Sequence, residues 1–162
     1  MKSGLTITED KNDLPRVIAD LTVLRHADVS IGWPGEGPKN NRREGDATNA
    51  EIAAAHEFGT DSIDRRPFLA PAIDKNRDDL IAVQGEALGR VIDGTLSPED
   101  AMALVGEAGV AAVKAEIVGG QHPPALKPAT IRAKGSSKPL VDTGQMLNSC
   151  TYQVDLTGGT GA

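Results

Sequence analysis

Apolar residues recur along the chain at two different spacings, and these spacings predict a mixture of helices and strands. In residues 14–24 they recur every three or four positions, which places them on one face of a helix. Residues 5–8, 29–33 and 150–154 instead alternate apolar and polar positions, as half-buried strands do. We therefore expect a chain that begins strand–helix–strand and carries its last strand near residue 154.

Three further helices are expected between these strands. Residues 50–57 are good helix formers, and residues 67–92 give the longest helical pattern, apolar on one side and charged on the other. The next helix begins with Ser97-Pro98-Glu99-Asp100, which combines a hydroxyl cap, a proline at the first position and acidic residues in the first turn. This helix is expected to end near residue 118.

The last of these helices carries a smooth face of alanine and glycine. Gly106 and Gly109 lie in its interior, where each glycine costs about 1 kcal/mol of helix stability relative to alanine. We expect glycine there because another backbone, from this chain or a neighbouring one, approaches closely. The fold class expected is α+β: a small mixed sheet of three strands packed by about four helices.

The segment 56–69 joins two of the expected helices and contains both phenylalanines of the chain. Gly59 can adopt the positive φ that ends a helix, and Pro67 suits the first position of the next one. Aromatic residues make up only 2% of the chain. Phe58 and Phe68 are therefore expected to fix the angle between the sheet and the helices.

Two stretches show no apolar periodicity and are expected to be extended loops or arms of a single domain spanning residues 1–162. The first, residues 34–49, is rich in Gly, Pro, Asn and Arg, and the second covers residues 120–139. A tail rich in Gly and Thr at residues 157–162 is expected to fray.

The candidate contact residues are five basic side chains of the first arm and of the segment 56–69: Lys39, Arg42, Arg43, Arg65 and Arg66. The three residues of the arm either reach a neighbouring subunit or DNA in a channel, or neutralise acidic residues of the same arm. The other two either pair with aspartates of their own turn, at positions 61 and 64, or bridge to an adjacent chain.

The composition argues against several classes of protein. A net charge of −6 is unlike a dedicated nucleic-acid binder, although it is compatible with a local basic patch. The single cysteine, Cys150, excludes an internal disulfide framework, and its place in a strand pattern predicts a buried, inert thiol. The sequence shows neither an apolar signal segment nor a run of membrane-spanning length, so a soluble cytosolic product is expected.

No set of residues predicts catalysis, a metal site or a cofactor. The three histidines show no metal-ligand spacing, and residues 134–138 lack the glycine spacing of a phosphate loop. Leu140-Val141-Asp142-Thr143-Gly144 resembles the catalytic turn of aspartic proteases, which would need two copies of the chain to bring two aspartates together. Two observations count against a protease: the turn lies about twenty residues from the end of the sequence, and the pattern before it is mostly helical. In addition, Asp142 or Thr143 can cap a short helix over residues 144–148, which explains the same residues. The chain is therefore not expected to be an enzyme.

Three blocks of the sequence resemble small neck proteins of tailed bacteriophages: HEFGT at 56–60, RPFLAPAID at 66–74 and KPLVDTGQMLNSCTYQV at 138–154. The family is that of the tail-completion or head–tail joining proteins, of the minor tail protein Z type, and the resemblance covers residues 50–154. It implies a structural virion protein that forms a ring, hexameric in the family, at the top of the tail. The ring would join the tail to the head connector, with DNA passing through its bore.

The same resemblance implies the partners and the location of the protein. The partners are the tail tube or tail terminator protein, the head connector, and DNA bound without sequence specificity; no membrane is involved. The protein would reside in the virion neck, and in the host cytoplasm during assembly. The matched turn residues, Phe58, Gly59, Pro67, Phe68 and Asp142, would hold the fold.

Three alternative functions remain open from the sequence. The nearest is the tail terminator, another small ring-forming protein of the same neck region. The second is a dimeric aspartic protease that uses Asp142. The third is a toxin–antitoxin or regulatory binding module encoded by a prophage.

Overall fold

The computed structural model describes residues 13–34, 47–134, 140 and 144–157. The strand expected at residues 5–8, most of the first arm and the tail lie outside these ranges. Within them the chain forms seven helices and two strands: α1 Leu14–Arg25, β1 Asp28–Gly32, α2 Asn49–Phe58, α3 Leu69–Lys75, α4 Arg77–Ile92, α5 Pro98–Gly119, α6 Pro128–Lys134, α7 Gln145–Ser149 and β2 Thr151–Asp155.

The two strands form an antiparallel sheet that joins the early part of the chain to its late part. Asp28 lies opposite Asp155, and Ile31 lies opposite Tyr152. The α+β fold class is thereby confirmed, as are the two strand predictions that fall within the described residues. Trp33, expected as the last residue of its strand, instead follows β1 directly and is buried in the core.

Helix α5 packs against both strands and against α3 and α4. Its start is as predicted: the Ser97 hydroxyl accepts a hydrogen bond from the Asp100 N–H at 3.1 Å, and Pro98 is the first helical residue. The prediction for its interior glycines needs a correction. The groups that approach Gly106 and Gly109 are side chains of the sheet, Tyr152 and Ile31, rather than another backbone.

The main core surrounds Trp33 and Phe68, whose rings meet edge to face with centroids 5.9 Å apart. Phe68 is fully buried, and the Trp33 Nε1–H donates to the carbonyl oxygen of Met146 and to the Ser149 hydroxyl. This pairing satisfies the polar edge of a buried indole. Seven other buried residues complete the cluster: Ala53, Ala72, Val113, Ile117, Leu140, Met146 and Cys150.

A second, smaller core lies where α1, α4 and α5 meet. Its buried residues are Ala87, Val91 and Ala101, and partly buried leucines pack around them. Arg16 of α1 fixes this end of the molecule, because its guanidinium donates to the carbonyl oxygens of Val91 and Ile92 at 3.0 and 2.8 Å. A cation at the carboxyl end of a helix also interacts favourably with the helix dipole.

The long helix expected over residues 67–92 is in fact two helices separated at Asn76. The Asn76 side chain donates to the carbonyl oxygen of Ala72 at 2.8 Å, and so binds the acceptor that its own backbone N–H would use in a continuous helix. Pro67 also lies two residues before the first helical residue, Leu69, rather than at the first position.

Helix α2 begins with a capping box. The Thr48 hydroxyl accepts from the Glu51 N–H at 3.2 Å, and the Glu51 carboxylate accepts from the Thr48 N–H at 2.7 Å. The Thr48 N–H and the Thr48 hydroxyl both donate to the Glu51 carboxylate, and these two bonds hold the pKa of Glu51 below its usual value.

Among the helices of the described ranges, none combines the length and apolar character that crossing a bilayer requires.

Candidate assembly surfaces

A buried glutamate joins α2 to α3 and fixes the segment between them. One oxygen of the Glu57 carboxylate accepts from the backbone N–H groups of Phe68 and Leu69 at 2.7 and 2.8 Å, and the other accepts from Ala70 at 3.2 Å. These are N–H groups at the start of α3, which have no partner within the helix. A negative charge there also interacts favourably with the helix dipole, which accounts for a carboxylate that is only 5% exposed.

The turn between the two helices is closed by hydrogen bonds. Gly59 has the positive φ (+78°) that was expected of it, and a side chain there would lie 3.1 Å from the Cβ of Arg65. The Thr60 N–H donates to the carbonyl oxygen of Ile63 at 2.9 Å, and the Arg66 N–H donates to the carbonyl oxygen of His56 at 2.7 Å. The turn is therefore held in one conformation by its own contacts.

The two arginines of this turn have different surroundings. Arg66 is 6% exposed; it donates to the carbonyl oxygen of Pro124 at 3.0 Å and forms an ion pair with Asp64 at 3.3 Å. It therefore pairs within its own turn, as one of the two alternatives stated. Arg65 is exposed, and its Nε donates to the carbonyl oxygen of Glu57 at 3.1 Å.

The prediction that both phenylalanines anchor the fold holds for Phe68 but is wrong for Phe58, which is 75% exposed. The buried face of α2 consists of Asn49, Ala53 and Glu57, which recur every four residues. Phe58 is one residue beyond this face, and one residue is a rotation of about 100° around the helix. The turn therefore presents an aromatic ring to solvent from a fixed backbone.

Apolar side chains are also exposed on α1 and α4. The sequence pattern places these side chains on helix faces, but it does not show whether another element covers those faces. On α1, Ile18 is 56% exposed and Leu21 is 38% exposed; on α4, Ile81 is 59% and Leu88 is 38% exposed. Between these helices and α5 lies a groove of about 290 Å³. Its apolar lining includes Leu21, Leu24, Ala87, Leu88, Met102 and Val105, and Arg25 and Gln84 complete it.

Four of the residues predicted from the sequence are not among those that the structure describes. Lys39, Arg42, Arg43 and Asp142 lie outside the described residues. The N-cap position of α7, for which Asp142 or Thr143 was expected, is occupied by Gly144.

The reactive side chains within the described ranges are dispersed or buried. Burial raises the pKa of the Cys150 thiol to about 11, so the thiol is protonated at neutral pH. His56 lies in the last turn of α2, and the imidazole of His122 bonds the carbonyl oxygen of Glu116 at 2.9 Å. Among the side chains of these ranges, no three His, Cys, Asp or Glu residues are grouped so that they could hold a metal ion.

The described part of the chain thus offers two apolar surfaces that suit contact with other molecules: the exposed ring of Phe58 and the groove between α1, α4 and α5. Sequence reasoning missed both, and it also missed the role of Glu57. Comparisons of the chain with known protein families, with curated proteins and with solved structures find no match.

Proposed function

We propose that the protein is a structural subunit of a phage neck, which completes the top of the tail and joins it to the head connector as a ring around the DNA channel. The observation that carries the proposal is the apolar surface that the fold leaves uncovered. Phe58, Ile18 and Ile81 are each more than half exposed, although aromatic residues make up only 2% of the chain. Neighbouring subunits in a ring would bury such side chains.

The positions of the family-like sequence blocks support the same function. The first two blocks contain Glu57 and Phe68, whose hydrogen bond closes the turn between α2 and α3. The third contains Met146, Ser149 and Cys150, which pack or bond around Trp33. The resemblance therefore falls on residues that hold the fold, as expected of a family that shares a scaffold for assembly rather than a catalytic centre.

The test is to purify tailed particles, identify this chain in them by mass spectrometry, and image the neck with local averaging. We expect a ring of this chain between the tail tube and the head connector, and its order along the neck separates a tail-completion protein from a tail terminator. A chain that is absent from intact particles would contradict the proposal.

A further inference from the structure

We draw no further inference here: the strongest candidate, the apolar groove between α1, α4 and α5 that Leu21, Leu88 and Val105 help to line, carries none because nothing in the described part of the chain shows what covers it.

Discussion

The side chain of Ile31 in β1 occupies the space that a side chain at Gly109 in α5 would need. Tyr152, which is the cross-strand partner of Ile31, does the same at Gly106, where a Cβ would lie 2.5 Å from the ring. Residues three apart on a helix and partners across an antiparallel sheet are both separated by roughly 5 Å, so one strand pair fits one pair of glycines. This match sets how closely α5 approaches the sheet.

Replacing Gly106 by Ala should destabilise the protein by about 1–3 kcal/mol, because the ring of Tyr152 is held close to its own backbone and cannot move aside easily. Gly109→Ala should cost less, since the nearest group is the flexible end of the Ile31 side chain. The matched controls are Gly85→Ala and Gly89→Ala in α4, where a Cβ meets nothing within 4 Å. These should stabilise the protein by up to about 1 kcal/mol. Urea unfolding measures all four, and a stabilising Gly106→Ala would contradict the packing described.

Removing the Glu57 carboxylate should be strongly destabilising. Glu57→Ala leaves three backbone N–H groups at the start of α3 without their acceptor, for an expected loss of about 3 kcal/mol. Glu57→Gln should lose less, because its amide oxygen can still accept. Glu86→Gln, at an exposed position of α4, removes the same charge and should change the free energy of unfolding by less than about 0.5 kcal/mol. Equal effects at positions 57 and 86 would refute the role of Glu57.

Ser149 is a hydrogen-bond partner for two elements of the core. Its hydroxyl accepts from the Trp33 Nε1–H and from the Asn49 side chain, both at 2.9 Å. Ser149→Ala should therefore cost about 1–2 kcal/mol and alter the emission of the only tryptophan. Ser30→Ala, on the exposed face of β1, should leave that emission unchanged. Fluorescence spectra and urea titrations of both variants provide the check, and an unaltered Trp33 spectrum in Ser149→Ala would be inconsistent with this geometry.

The buried thiol of Cys150 predicts a loss of stability at alkaline pH. Its pKa is about 11 in the folded protein, against 9.0 for an unperturbed thiol, so the unfolded chain releases this proton first as the pH rises. The contribution is complete below pH 9 and is lost between pH 9 and 11. Urea midpoints at pH 8 and pH 10.5 should fall more steeply for the unaltered chain than for Cys150→Ala. Iodoacetamide at pH 8 should label the thiol rapidly only in denaturant; rapid labelling of the native protein would contradict its burial.

Local sequence patterns predicted the parts of the fold that depend on neighbouring residues alone. The start of α5 is an example, because the hydroxyl cap, the proline and the acidic first turn all lie within four residues. The break at Asn76 could not be found in this way, since the apolar periodicity of α3 continues into α4. At this break the Asn76 side chain bonds the carbonyl oxygen of Ala72, an acceptor that a continuous helix would use for the Asn76 N–H.

The candidate surfaces were harder to predict, for a physical reason. Periodicity shows which residues share a helix face, but whether another element covers that face depends on packing between distant parts of the chain. Ile18 and Ile81 follow good helical patterns and are nevertheless more than half exposed. Phe58 was expected inside because aromatic residues are rare in this chain. Its exposure follows from Glu57, whose carboxylate takes the buried position beside it.

The antiparallel pairing of β1 with β2 also has a consequence for folding. Nearly all of the described helices lie between the two strands in sequence, so the sheet is a contact of very high sequence separation. During translation β1 emerges before β2, which is its partner among the described residues. Helix α5 is synthesised before β2. The space beside Gly106 and Gly109 is therefore filled only when Tyr152 pairs with Ile31. Pairing of the two strands is thus expected late in folding. A nascent chain stalled before residue 151 would contain α5 but not the two-stranded sheet against which α5 packs.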